Sequence, residues 1–332
     1  MSKIYTSISQ LVGHTPLLEL VNFESNNDLK AKILGKLESF NPSGSVKDRA
    51  ALSMLEGAEA SGELKPGQTV IETTSGNTGI ALAAFCAAKK HPLIIFMEPG
   101  CTPERIQIMK AYGADVRGIN DIPHAAEIIK EFGFAPVKLM ESVANYAKEQ
   151  GYYYVAQLFN ENNPIAHYKT TGPELVEDTD GKIDIAVMLA GTAGTLAGVG
   201  TYLKDHVDGV KIVAVQPTPD SLSYVPDAPA TIDGVVIVEK EDGVTHPFIV
   251  RRNFKYDEMI NVSGVDAYET AREVAKSDGV FLGASAAAAL TAAKQLALRS
   301  ENEGKNIVVI FPDDGMKYLI TNMYKRSCQV QI

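Results

Sequence analysis

Three short stretches of this 332-residue chain concentrate residues that could do chemistry. In Asn41-Pro-Ser-Gly-Ser-Val-Lys-Asp-Arg49, Lys47 follows a Gly/Ser turn at the expected start of a helix. The positive end of the helix dipole disfavours an ammonium there, and burial adds to that. Both effects favour the neutral amine, the form that makes a Schiff base. In Thr74-Ser-Gly-Asn-Thr-Gly79, the hydroxyls of Thr74, Ser75 and Thr78, the Asn77 amide and the N–H groups of the next helix could hold a carboxylate. Each such contact contributes roughly 0.3–1 kcal/mol. In Gly191-Thr-Ala-Gly-Thr195, two glycines, two hydroxyls and a helix N-terminus make a phosphate cradle. No Gly-Lys-Ser/Thr follows, so it is not a P-loop, and it lacks the spacing of a dinucleotide fingerprint. Each stretch taken alone has a plainer alternative: a surface lysine, ordinary N-capping, a Gly-rich turn.

The elements around these turns alternate. Residues 68–73 read as a strand, 80–90 as an Ala-rich helix, and 92–97 as a strand buried on both faces. Residues 103–112 read as a helix with Thr102 as N-cap and Pro103 at its first position. Residues 183–189, 211–216, 280–282 and 306–311 are further strands; 196–204, 267–277 and 285–299 are helices, and Tyr152–Tyr154 begins a strand. This alternation predicts an α/β fold with mostly parallel sheets and helices on both faces. Residues 156–173, rich in Asn and Pro and without a period, read as a crossover between two domains. Residues 217–233 are irregular, and the charged run 239–242 reads as a solvated loop.

Composition narrows the function classes. Apolar residues make up 45% and charged residues 22%, ordinary proportions that exclude disordered, collagenous and coiled-coil classes. A net charge of −10 argues against a nucleic-acid partner. No apolar run approaches a membrane span, and the N-terminal residues lack a secretory pattern. Three cysteines, an odd number, suit a reducing compartment, so a cytoplasmic location is expected. Cys86 reads as core, Cys101 as a candidate exposed thiol and Cys328 as part of a fraying tail. The six histidines have no ligand spacing, which predicts no metal site.

Together the three stretches, with His167-Tyr-Lys-Thr-Thr-Gly-Pro-Glu174, resemble the cysteine synthase (O-acetylserine sulfhydrylase) family. This is the β-replacement branch of the fold type II pyridoxal phosphate enzymes, which are tryptophan synthase β-like. The resemblance runs from Val12-Gly-His-Thr-Pro-Leu17 to Pro312-Asp-Asp-Gly-Met-Lys-Tyr-Leu319. It implies a large domain of residues 1–47 and 160–332 that binds the cofactor phosphate. A small mobile domain, 48–159, would carry the substrate carboxylate loop. It further implies that Lys47 holds pyridoxal 5'-phosphate as a Schiff base and moves the Cα proton. Gly191, Thr192, Ala193, Gly194 and Thr195 would hold the phosphate, Asn77 the ring hydroxyl oxygen, and Ser285 would face the pyridine nitrogen. Thr74, Ser75, Thr78 and Gln157 would bind the carboxylate of a small amino acid. A neutral hydroxyl at the ring nitrogen suits direct loss of a Cβ substituent, giving α-aminoacrylate, followed by addition of a nucleophile. A homodimer is also implied.

The departures from the family pattern carry the finer reading. Ala193 stands where the family usually has Gly, which is tolerable unless the backbone needs φ > 0. Ala286 and Ala287 replace neighbours of Ser285, and Asp314 stands where a Ser is common. Where the family usually reads Gln-Gly-Ile-Gly, this chain reads Ile232-Asp-Gly-Val-Val236, with Gly234 as register anchor and a longer segment behind it. Asp233 would then lie close to the reacting carbon. A carboxylate ~4 Å from a hydrosulfide anion repels it by ~1 kcal/mol in water and ~4 kcal/mol in a partly screened site, but is well suited to take a proton from water. The expected reaction is therefore L-cysteine plus water giving L-serine and hydrogen sulfide. The alternatives are cysteine synthesis from O-acetyl-L-serine and sulfide, then lanthionine formation. A ligand-binding or regulatory protein on the same fold without the cofactor is the rival from another class.

Overall fold

The computed structural model describes all residues except 1–3, 75, 98–101, 134–135, 224, 226, 241–242, 245 and 326–332. Cys101 and Cys328 lie outside the described residues. The strands, in chain order, are β1 (Leu17–Glu19), β2 (Lys32–Leu37), β3 (Val70–Thr73), β4 (Leu93–Met97), β5 (Asp115–Gly118) and β6 (Tyr153–Tyr154). They continue with β7 (Ile185–Leu189), β8 (Lys211–Pro217), β9 (Glu239–Lys240), β10 (Gly243–Val244), β11 (Glu258–Val262) and β12 (Asn306–Phe311). The chain divides into two compact units: Met1–Val12 with Lys47–Asn163, and Gly13–Val46 with Pro164–Ile332. The N-terminal twelve residues and Lys47 thus belong to the first unit, where the sequence reading drew 1–47 with the larger domain.

In the first unit, β3 lies between β4 and β6 with β5 beyond β4, and each pairing is parallel. Because side chains alternate along a strand, the sheet buries both faces. Val70, Leu93, Ile95 and Met97 pack with the helices Lys47–Ser61 and Asn77–Lys89. Ile71, Ile94 and Phe96 pack with Leu139 and Val143 of Pro136–Gln150. Cys86 is buried in the first of these clusters, and burial pushes its thiol up to about 12, which makes it inert.

The second unit is built on a six-stranded sheet in the order β1-β2-β12-β7-β8-β11, parallel except for β1 against β2. Ile185, Val187, Val213, Ile307 and Val309 face the Ala-rich helix Ala284–Ala297. Ala186, Met188, Ile212, Val308 and Ile310 face the helices Thr171–Asp178 and Gly194–His206. The α/β class, parallel sheets and two-sided helices of the sequence reading are therefore present.

Several local expectations are corrected. Residues 280–282 do not form a strand: Gly279, at φ +70°, precedes them and Gly283 caps the next helix, leaving only an isolated bridge between Leu282 and Asp314. The stretch 156–173 contains the helix Asn162–Lys169 and the start of Thr171–Asp178. Its hydrophobic period was invisible because the inward residues Asn163, His167 and Thr171 are polar. The charged run at 239–242 contributes β9, which pairs antiparallel with β10. The Ala-rich helix begins at Asn77, three residues earlier than expected.

Candidate active site

In the first unit, Lys47 is the first residue of a 15-residue helix, and Asp48 and Arg49 behind it are buried. The second feature of this unit is the turn from β3 into the helix Asn77–Lys89, which has Gly76 as N-cap. The first N–H groups of any helix lack intrahelical acceptors, so the turn presents donors to an anion. Thr74 N–H donates to Phe96 O at 3.0 Å, tying the turn to β4. Thr78 Oγ1 donates to Gln157 Oε1 at 2.7 Å, and Gln157 Nε2 donates to Thr73 O at 3.3 Å. The structure thus brings Thr78 and Gln157 into direct contact across 79 residues of sequence. Gly79 is closely packed, since a Cβ there would stand 3.0 Å from Thr74 Cγ2 and 2.6 Å from Met109 Sδ. Ser75 lies outside the described residues.

Sequence reasoning missed Glu72 in this unit. It is fully buried at the end of β3. Its Oε1 accepts from Thr73 N–H at 2.6 Å and its Oε2 from Gln157 N–H at 3.0 Å. Burial, working against those hydrogen bonds, raises its carboxyl to about 7.

In the second unit, β7 runs into Gly191-Thr-Ala-Gly-Thr195 and then the 13-residue helix Gly194–His206. Ala193 is its N-cap at φ +55°, ψ 9°. The condition under which the methyl group is costly is therefore met, and the left-handed conformation costs an L-residue roughly 1–2 kcal/mol. Two histidines with no assigned role in the sequence reading brace this turn. His167, buried, contacts Thr195 Oγ1 through Nε2 at 3.2 Å and Thr171 Oγ1 through Nδ1 at 3.0 Å. His246 Nε2 donates to Gly191 O at 3.0 Å. Burial lowers the pKa of His246, which favours the neutral ring. The signal for His167 was its place inside the quoted motif; His246 had none.

Asp233 and Gly234 lie in the same unit, in a turn after Ile232, whose N–H donates to Ser221 O at 2.8 Å. Thr231 Oγ1 donates to Asp233 Oδ1 at 3.4 Å. A Cβ on Gly191 would stand 2.4 Å from Gly234 O, and Val236 N–H donates to Ala190 O at 3.2 Å. The structure therefore brings the Asp233-Gly234 turn onto the Gly191 turn. Ser285 is the second residue of Ala284–Ala297 and is buried. Gly283 before it leaves no room for a side chain, since a Cβ would meet Asp313 Oδ1 at 1.9 Å. Asp314 caps its own 3-10 turn, accepting from Met316 N–H at 3.0 Å. Among the described residues, no cluster of three or more His, Cys, Asp or Glu is arranged to hold a metal ion, and no helix is long and apolar enough to cross a membrane.

Comparison with known proteins follows the same lines. Residues 8–313 match the family described as Pyridoxal-phosphate dependent enzyme. A cysteine synthase of Staphylococcus aureus is 38% identical over 322 residues, covering 96% of each chain. The solved cysteine synthase of Entamoeba histolytica is 38% identical with a TM-score of 0.82, covering 98% of this chain and 92% of that one. A hydrogen sulfide-producing enzyme of Fusobacterium nucleatum is 32% identical with a TM-score of 0.81, covering 96% of this chain and 99% of that one.

The residues present fit the family's cofactor. A phosphate dianion needs bare backbone and converging N–H groups; the two glycines of the Gly191–Thr195 turn and the start of Gly194–His206 supply both. An amine nucleophile stands at the head of its own helix as Lys47. On this fold, and with matches of this length and identity, the chain belongs to the cysteine synthase family of fold type II enzymes, whose cofactor is pyridoxal 5'-phosphate.

Proposed function

We propose that this enzyme, within the β-replacement chemistry of its family, converts L-cysteine and water to L-serine and hydrogen sulfide. The observation that carries this reading is the contact of the Asp233-Gly234 turn with Gly191 of the phosphate turn. The hydrogen sulfide-producing relative from Fusobacterium nucleatum supports it. When bound, the cofactor supplies the electron sink that labilises the substrate's Cα proton and its Cβ substituent.

The chain's residues then divide the work. Thr74, Ser75, Thr78 and Gln157 bind the substrate carboxylate. Gly191 to Thr195 would hold the phosphate, Asn77 would bond the ring hydroxyl oxygen, and Ser285 would serve the pyridine nitrogen. Lys47 anchors the cofactor, takes the proton from Cα and returns it. The C–S bond breaks and the sulfur leaves as hydrosulfide, which takes its second proton from solvent, and the proton that Asp233 removes from water is released to solvent in turn. Asp233 accepts a proton from water as the new C–O bond forms at Cβ. Its negative charge also opposes the return of hydrosulfide, by ~1 to ~4 kcal/mol at ~4 Å, or roughly five- to a thousandfold. The second reading, cysteine synthesis from O-acetyl-L-serine and sulfide, draws on the 38% identity to cysteine synthases. A cytoplasmic homodimer accompanies either reading.

The test uses purified holoenzyme with L-cysteine alone, and separately with O-acetyl-L-serine plus sulfide. Serine, sulfide, cysteine and lanthionine are quantified in both. Equimolar sulfide and serine from cysteine alone is the expected result, with Asp233→Asn losing serine formation. Rapid cysteine formation in the second mixture, with little turnover in the first, overturns it in favour of cysteine synthesis. Serine made by Asp233→Asn at the parent rate removes Asp233 from the mechanism.

A further inference from the structure

The carboxylate-binding role rests on a loop and on Gln157, which lies 79 residues beyond Thr78 in the first unit's sequence. Something must hold them in register. Thr78 Oγ1 and Gln157 Oε1 meet at 2.7 Å, but that contact joins two side chains that would themselves turn toward a substrate. The backbone beneath them is held elsewhere. Both oxygens of Glu72 are committed to main-chain N–H groups, Oε1 to Thr73 at 2.6 Å and Oε2 to Gln157 at 3.0 Å. Thr73 Oγ1 adds a third bond to Oε1 at 3.3 Å. Asn163 Nδ2 donates to Gln157 O at 2.9 Å, closing the far side. Glu72 is 0% exposed, so no water can replace these bonds at its surface.

We infer that Glu72 is a positioning residue for the substrate carboxylate, holding the backbone of Thr73 and of Gln157 so that Thr74, Thr78 and Gln157 converge on it. The inference deepens the function proposed above and rests on it. A carboxylate is required here, because only an ionised group offers an acceptor on each oxygen. A Gln side chain has one acceptor and would turn an NH2 toward one of the two N–H groups. Among the described residues, no cation pairs with Glu72. Tyr154, on the adjoining β6, has its hydroxyl pushed up by burial and stays neutral, as does Tyr153, raised to about 12. Glu72 itself titrates at about 7. Above that pH both N–H groups are held; below it one oxygen carries a proton and one N–H loses its acceptor.

The test compares L-serine with ethanolamine, which differ only in the carboxylate. Each is titrated into wild-type holoenzyme and into Glu72→Gln holoenzyme, following the visible cofactor absorbance across pH 6 to 9. Glu72→Gln is expected to weaken L-serine binding about ten- to a hundredfold, as for a lost charged hydrogen bond, and to leave ethanolamine binding unchanged. The ratio of L-serine to ethanolamine affinity in the wild type should fall as pH drops through 7, and in the variant that ratio should stay level. Equal L-serine affinity in the two proteins, or equal weakening of both amines, which general loss of structure would produce, overturns the inference. Wild-type holoenzyme that binds ethanolamine but not L-serine overturns instead the amino-acid reading on which it rests.

Discussion

Removing the His246 side chain should loosen the cofactor without touching it. His246 donates to Gly191 O at 3.0 Å and is 7% exposed, so in His246→Ala that carbonyl loses a donor where solvent reaches poorly. A buried polar group left without its partner costs about 1–3 kcal/mol. Because the strained turn at Ala193 lies two residues on, much of that cost should appear as reduced order in the turn proposed to hold the phosphate. The expected rise in the cofactor dissociation constant is about five- to 150-fold. The assay is titration of apoenzyme with pyridoxal phosphate, read by absorbance, with the phosphorus resonance of the bound cofactor as a second probe. His246→Gln, which keeps a donor at the end of a similar reach, should recover most of the affinity. The pH dependence has a definite sign. Burial lowers the pKa of His246 below its ordinary value of 6.5. The folded state therefore favours the neutral ring, and its contribution is full above 6.5 and lost as pH falls below it. Folded His246→Ala that binds the cofactor as tightly as wild type, with an unshifted phosphorus resonance, would refute the reasoning.

Two further perturbations follow from contacts in the second unit. Gly191→Ala puts a methyl group where only 2.4 Å separates it from Gly234 O, so cofactor binding should fall beyond the range of the titration while far-ultraviolet circular dichroism is retained. Lys36 is fully buried and pairs with Glu174 Oε2 at 3.0 Å and Asp178 Oδ2 at 2.8 Å, besides donating to Thr15 O at 2.6 Å. Lys36→Ala should destabilise that unit by about 3–5 kcal/mol, read as a lower chemical-denaturation midpoint, and a midpoint within error of wild type would contradict it.

Much of the fold was legible because the sheets are parallel and buried on both faces. Runs such as residues 92–97 and 307–311 are apolar without a break, the pattern of a strand covered on both faces. Both turns were legible because closely approached backbone demands small residues, as at Gly79 and Gly191. Legibility failed where polar residues do structural work. The helix Asn162–Lys169 buries Asn163 and His167, so no apolar stripe announced it. Glu72 is followed directly by Thr73-Thr74-Ser75, yet its role depends on Gln157, 85 residues away, and no local pattern encodes such a pairing. His246 likewise reaches Gly191 across 55 residues.

The assignment of chain segments to units also has a consequence for synthesis. The first unit's sheet and helices lie between Lys47 and Asn163, so its core can close once residue 163 has emerged from the ribosome. The second unit cannot do the same. Its sheet places β12, beginning at Asn306, between β2 and β7, and both neighbours wait for it. At roughly 5–20 residues per second, that delay is on the order of ten seconds. During that interval β2, and β7 once it has been made, each have an open apolar edge, a period in which a nascent-chain chaperone would find its target in this unit rather than in the first.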